Sequence, residues 1–193
     1  MALQHDIVRA MRCVGLLGAV LVASLADAPS AQAQAAARVA PVLARVLAYD
    51  RTLTARAGSE VDVVIAHTGL SSASGAQGRA LSTAFERLGQ QTVQGLPLRV
   101  HLVDVSGGLA GLPAGTDVIV ACDGMPSSTT SALFAHARAR RLLLVALSRA
   151  GLEHGAVAIF MEDGRPRIVT KMRHVQDSGI QLASPLLRLA EVI

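Results

Sequence analysis

Val61-Asp62-Val63-Val64-Ile65-Ala66 is the stretch on which the fold turns. Five of these six residues are apolar and four are β-branched, so the run is too short and too stiff for a helix. A nearly unbroken apolar strand has no solvent side, and that predicts a parallel sheet covered on both faces. On its N-terminal side, Val39, Val42, Leu43, Val46, Leu47 and Leu53 recur at helical spacing and predict a helix over 38–57, stopped by Gly58. On its C-terminal side, a Gly/Ser-rich loop over 69–78 leads to a helix marked by Leu81, Phe85 and Leu88. Strands are predicted at about 98–105, 117–121 and 142–147. Between the last two, Pro126 opens a helix that carries Leu133 and Phe134 and ends in Arg138, Arg140 and Arg141, whose charges suit a helix C-terminus.

The alternation then breaks. Residues 156–161 and 167–172 read as two strands around Asp163-Gly164, a favoured tight-hairpin pair. Ser184-Pro185 is expected to open a final helix, with Ser184 as N-cap and Leu186, Leu187, Leu189, Ala190 and Ile193 on its apolar side. The fold class that follows is α/β: a three-layer sandwich with a mixed, mainly parallel sheet, a C-terminal hairpin and flanking helices. At the N-terminus, Arg9 and Arg12 precede the apolar run Val14 to Ala26, and Ala31-Gln32-Ala33 follows as an A-x-A site. That order predicts a signal peptide over 1–33, cleaved after Ala33, and one domain over 34–193. The apolar run is shorter than a membrane span needs, so no stable membrane insertion is expected after cleavage.

Composition narrows the function. Aromatic residues are 2% of the chain, so the core must be aliphatic and base-stacking platforms are scarce. The net charge is +4 and the arginines are scattered, which argues against nucleic acid. The nucleophile elbow, paired-cysteine zinc spacing and both glycine-rich phosphate motifs are missing, so neither an enzyme nor a bound cofactor or metal is expected. Cys13 leaves with the leader; Cys122 stays alone and reads as a small buried side chain.

In open parallel sheets, ligands sit beyond the carboxyl ends of strands. Those ends here offer His67, Thr68, Asp104 and Asp123 as candidate ligand-binding residues, with Ser106, Cys122 and Ser148 nearby. The amides of Ser71 to Gly75 could approach an anion. His154, His174, Asp163 and Asp177 cluster late in the chain and read as turn and cap residues.

Val46-Leu47-Ala48-Tyr49-Asp50-Arg51-Thr52-Leu53 followed by Val61 to Ile65 resembles the opening of YfiR-like periplasmic proteins. His154 to Ile159, Arg165 to Val169 and Gly179 to Ala190 resemble that family's closing strands and helix. The resemblance implies a non-enzymatic periplasmic regulator acting on an inner-membrane sensor or diguanylate cyclase, and through it on cyclic-di-GMP and biofilm output. Lys171 stands where the family often has Asn, and Cys122 alone cannot form the disulfides of its best-known member. The apolar first and last helices could dock that partner or a second copy. The alternative is a small periplasmic solute-binding protein, since the sheet resembles half of a two-lobed receptor.

Overall fold

The computed structural model describes residues 30–193, so most of the expected leader lies outside the described residues. Residues Ala31–Ile193 form one compact unit. Its sheet has eight strands: β1 (Val61–His67), β2 (Thr92–Val93), β3 (Leu96–Asp104), β4 (Val118–Ala121), β5 (Leu143–Ala146), β6 (Val157–Glu162), β7 (Arg165–Thr170) and β8 (Glu191–Val192). They lie in the order β2-β3-β1-β4-β5-β6-β7-β8. Strands β3, β1, β4, β5 and β6 are mutually parallel, β7 returns antiparallel to β6, and β2 is antiparallel to β3.

Two layers of helix cover it. On one face α1 (Ala31–Leu47) and α3 (Ser72–Leu88) pack Leu43, Leu47, Leu81 and Phe85 onto Val63, Ile65, Val120 and Val145. On the other face α4 (Ser127–Arg140) sets Leu133 and Ala137 against Val64, Ala66, Ile119 and Leu144. Successive residues of a strand point to opposite faces, so both faces of β1 need apolar side chains; that is why its run is continuous. The three-layer α/β architecture is therefore the one expected from the alternation of elements.

The hairpin also forms, joined at Asp163 (φ +49°) and Gly164 (φ +73°), with Pro166 paired opposite Met161. Positive φ at both turn positions matches the right-handed twist of the strands.

Other boundaries differ. The expected helix over 38–57 is two helices, α1 and the single turn α2 (Leu53–Arg56), broken at Ala48–Thr52. The break has a tertiary cause: Asp50 bridges Leu182, Arg51 donates to the Gln181 carbonyl at 2.8 Å, and Ala183 donates to that of Tyr49 at 2.9 Å. Gly58, at φ +56°, does lie just beyond α2. The final helix α6 covers only Ser184–Leu189, and its N-cap is Ala183, so Ser184 does not cap it. Glu191–Val192 leaves the helix and pairs in parallel with β7. Leu186 is buried, but Leu189 is 67% exposed, contrary to the expected stripe. A short helix α5 (Met172–Asp177) stands where the sequence pattern placed the end of a strand.

Candidate functional site

At the carboxyl end of β1, the chain turns sharply through His67-Thr68-Gly69. The turn is tied to the end of β3. Gly69 donates its N–H to Asp104 Oδ1 at 3.1 Å and to Ser106 Oγ at 2.8 Å. Thr68 Oγ1 and Ser106 Oγ share a hydrogen bond of 3.1 Å. Ser106 also donates its N–H to Asp104 Oδ1 at 2.9 Å, and its hydroxyl bonds the same oxygen. These bonds, first that from the Ser106 side chain, pull the Asp104 carboxyl down from 3.8 to about 2. Thr68 donates its N–H to the buried Ser74 hydroxyl at 3.2 Å, and Ser71 Oγ accepts the Ser74 N–H at 3.2 Å as the N-cap of α3. Three amides of the expected anion-binding stretch, those of Ser71, Ser74 and Gly75, are thus already used by the fold.

Three of the four candidate residues therefore converge, since His67, Thr68 and Asp104 share one corner. A side chain at Gly69 would place its Cβ 2.6 Å from Asp104 Oδ2, so glycine is what lets the turn approach that carboxylate. His67 Nδ1 is buried with no hydrogen-bond partner.

Asp123 follows β4, the strand next to β1, and is bonded to α3. The order of the sheet reverses between β1 and β4, the point at which such folds leave a crevice. Here the crevice is bridged. Gln77 of α3 donates Nε2 to Asp123 Oδ2 at 3.0 Å and accepts the Asp123 N–H on Oε1 at 2.7 Å. Gln77 escaped the sequence analysis because a helical glutamine carries no local sign of its partner. Beyond β4 and β5 a groove of about 210 Å³ is lined by Asp123, Ser127, Thr130, Ser148, Glu153 and His154 among others. Cys122 is at its base, where burial pushes the thiol up to about 12.

A second cavity, of about 310 Å³, opens between α1, α3 and β6. Its lining is largely apolar, from Val39, Leu81, Leu147, Ile159, Phe160 and Met161, with Arg149 at its edge. That guanidinium makes a two-pronged pair with Glu191 at 3.0 and 2.6 Å and sits 5.9 Å from the Phe160 ring.

The late histidine cluster divides. His174 is buried, its Nδ1 3.0 Å from the Gly155 carbonyl and its ring 4.7 Å from that of Phe134, while His154 lines the groove. Among the described residues, no three His, Cys, Asp or Glu side chains come together as a metal site.

The observed arrangement is a three-layer α/β domain with polar strand ends cross-linked by their own hydrogen bonds. The chain belongs to the YfiR/HmsC-like family, whose model matches residues 36–191. That family consists of periplasmic, non-catalytic regulators of diguanylate cyclases. No curated protein matches the chain. Among solved structures it is similar to a conserved domain protein from Vibrio cholerae, with TM-score 0.58 and 10% identity over 81% of this chain and 59% of that one. It is also similar to an ABC domain in complex with L-Trp from Streptococcus pneumonia, with TM-score 0.53 and 12% identity over 77% and 60%. The chain spans about three-fifths of the length of each, and at these identities the likeness concerns the fold. No helix of the described residues is long and apolar enough to cross a membrane.

Proposed function

We propose that this chain is a periplasmic regulator that binds the periplasmic part of an inner-membrane diguanylate cyclase and thereby sets cyclic-di-GMP output. The observation that carries the reading is the family match over nearly the whole compact domain. The proposed cleavage after Ala33 is compatible with folding. It removes only the first three residues of α1, whose first buried side chain is Ala36. The corner at Thr68 and Asp104 acts as a rigid strut in this reading, because both side chains are tied to Ser106 and Asp104 also accepts from Gly69.

Deleting the gene and measuring cellular cyclic-di-GMP tests the regulation. Capture of the cyclase's periplasmic domain by the purified chain tests the contact. An unchanged nucleotide level together with no capture overturns the proposal. Intact-mass analysis of the periplasmic protein tests export; a chain that still begins at Met1 refutes the cleavage.

The solute-binding alternative is favoured by one observation, the apolar cavity of about 310 Å³, which lies at the lower end of the size range of small-molecule sites. A melting temperature raised by a small apolar solute, and lost in Leu81→Arg, distinguishes it.

A further inference from the structure

Cleavage after Ala33 leaves Gln34 as the first residue of the chain. Helix α1 keeps its core side after that cut, because its buried residues begin at Ala36 and continue through Val39, Ala40, Leu43 and Leu47. Gln34 lies on the other side of the helix, in line with Arg38, Pro41 and Arg45, and all four are exposed. Its side-chain amide is clear of the core and free to turn back on its own backbone nitrogen. A positive charge is badly placed there. The N-terminus of a helix is the positive end of its dipole, and the turn left by the cut, Gln34-Ala35-Ala36-Ala37, carries no acidic residue to offset it. Arg38, one turn on, adds a like charge on the same side. Both effects oppose the ammonium form of the new terminus and favour the neutral amine, which is the nucleophilic form.

We infer that Gln34 of the processed chain closes on itself to a pyroglutamyl lactam. The chemistry balances within the one residue. The α-amine nitrogen attacks the side-chain carbonyl carbon Cδ, and an N–Cδ bond forms. The Cδ–Nε2 bond breaks, a proton of the amine passes to Nε2, and ammonia leaves. No oxidant, reductant or second reactant enters. The five-membered ring resembles that of proline, whose fixed geometry suits the first position of a helix. The lactam is neutral, so the conflict with the helix dipole and with Arg38 ends.

The consequence is protection of α1. Peptidases that remove residues singly from this end need a free α-amine, and the lactam offers none. Only Gln34 and Ala35 precede Ala36, the first buried side chain, so trimming soon reaches the layer that α1 lays over the sheet. Ala35, Ala36 and Val39 also wall the apolar cavity between α1, α3 and β6, so the same trimming would open it. The inference rests on the proposed cleavage after Ala33 and is independent of the regulatory reading.

Intact mass of the periplasmic protein, joined to a count of its amines, tests it. The expected mass is that of residues 34–193 less one ammonia. Lys171 is the only lysine of the chain, so an amine-reactive reagent applied to the unfolded protein should add one label to the wild type. Gln34→Ala cannot form the ring and should add two labels. An aminopeptidase should shorten that variant and leave the wild type intact. A wild type that begins at Gln34 at full mass, with two labels, overturns the inference and leaves the cleavage standing. A chain that begins at another residue overturns the cleavage and the inference with it. A wild type trimmed as fast as Gln34→Ala also overturns the inference.

Discussion

Replacing Asp50 by alanine tests the account of how the two ends of the chain are held together. The Asp50 side chain is fully buried and that of Arg56 is 16% exposed; the pair is 2.9 Å apart. The second carboxylate oxygen accepts the Thr52 N–H at 2.9 Å and its hydroxyl at 2.7 Å, and Arg56 also donates to Thr52 Oγ1 at 2.6 Å. Gln94 spans from the β2 turn to the carbonyls of Ala48 and Asp50 at 3.1 and 2.7 Å. Alanine at position 50 leaves the Arg56 charge enclosed, and Arg56 Nε already lacks a partner. Breaking a buried pair from one side costs about 3–5 kcal/mol, mostly the penalty of the stranded charge. For a domain of this size that lowers the melting temperature by roughly 10 °C. Asp50→Ala/Arg56→Met removes the stranded charge, so it should be less destabilised than Asp50→Ala alone. Urea titrations of both variants and of Arg56→Met complete the cycle. A loss below about 1 kcal/mol for Asp50→Ala, or a double variant less stable than Asp50→Ala, would refute the reasoning.

Three further outcomes follow from the same structure. Leu186→Ala should cost about 2–5 kcal/mol through a cavity, whereas the exposed Leu189→Ala should change stability by about 0.5 kcal/mol or less; equal effects by thermal melting would contradict the packing of α6. The Asp104 carboxyl, lowered from 3.8 to about 2 chiefly by the Ser106 hydrogen bonds, should titrate by carboxyl NMR near 2. Its contribution to stability is present above the unfolded value and fades as pH falls through about 2, so a midpoint near 4 refutes the anchor. The Cys122 thiol, pushed up to about 12 by burial, should resist alkylation in the native protein at pH 8 and react once urea unfolds it; rapid native labelling would disprove its enclosure.

The layered α/β fold was legible in the sequence because its signals are local. The apolar run at Val61–Ala66 needs no knowledge of its neighbours to read as a doubly covered strand. Asp163-Gly164 carries its turn in its own backbone preference. The same locality made His67, Thr68, Asp104 and Asp123 readable as strand-end residues, and the order of the terminal segments made the family readable.

Tertiary structure decided what those residues do. Asp104 is an internal anchor because Gly69 and Ser106 come to it, and Asp123 is held by Gln77 of α3. The helix over 38–57 breaks because Asp50, Arg51 and Tyr49 bond to residues more than a hundred positions away. Glu191–Val192 becomes a strand because the exposed side of β7 offers a ladder that helical periodicity cannot register. Periodicity and turn chemistry report what a segment prefers alone; pairing partners, helix breaks and open edges depend on contacts between segments that meet only when the chain is folded.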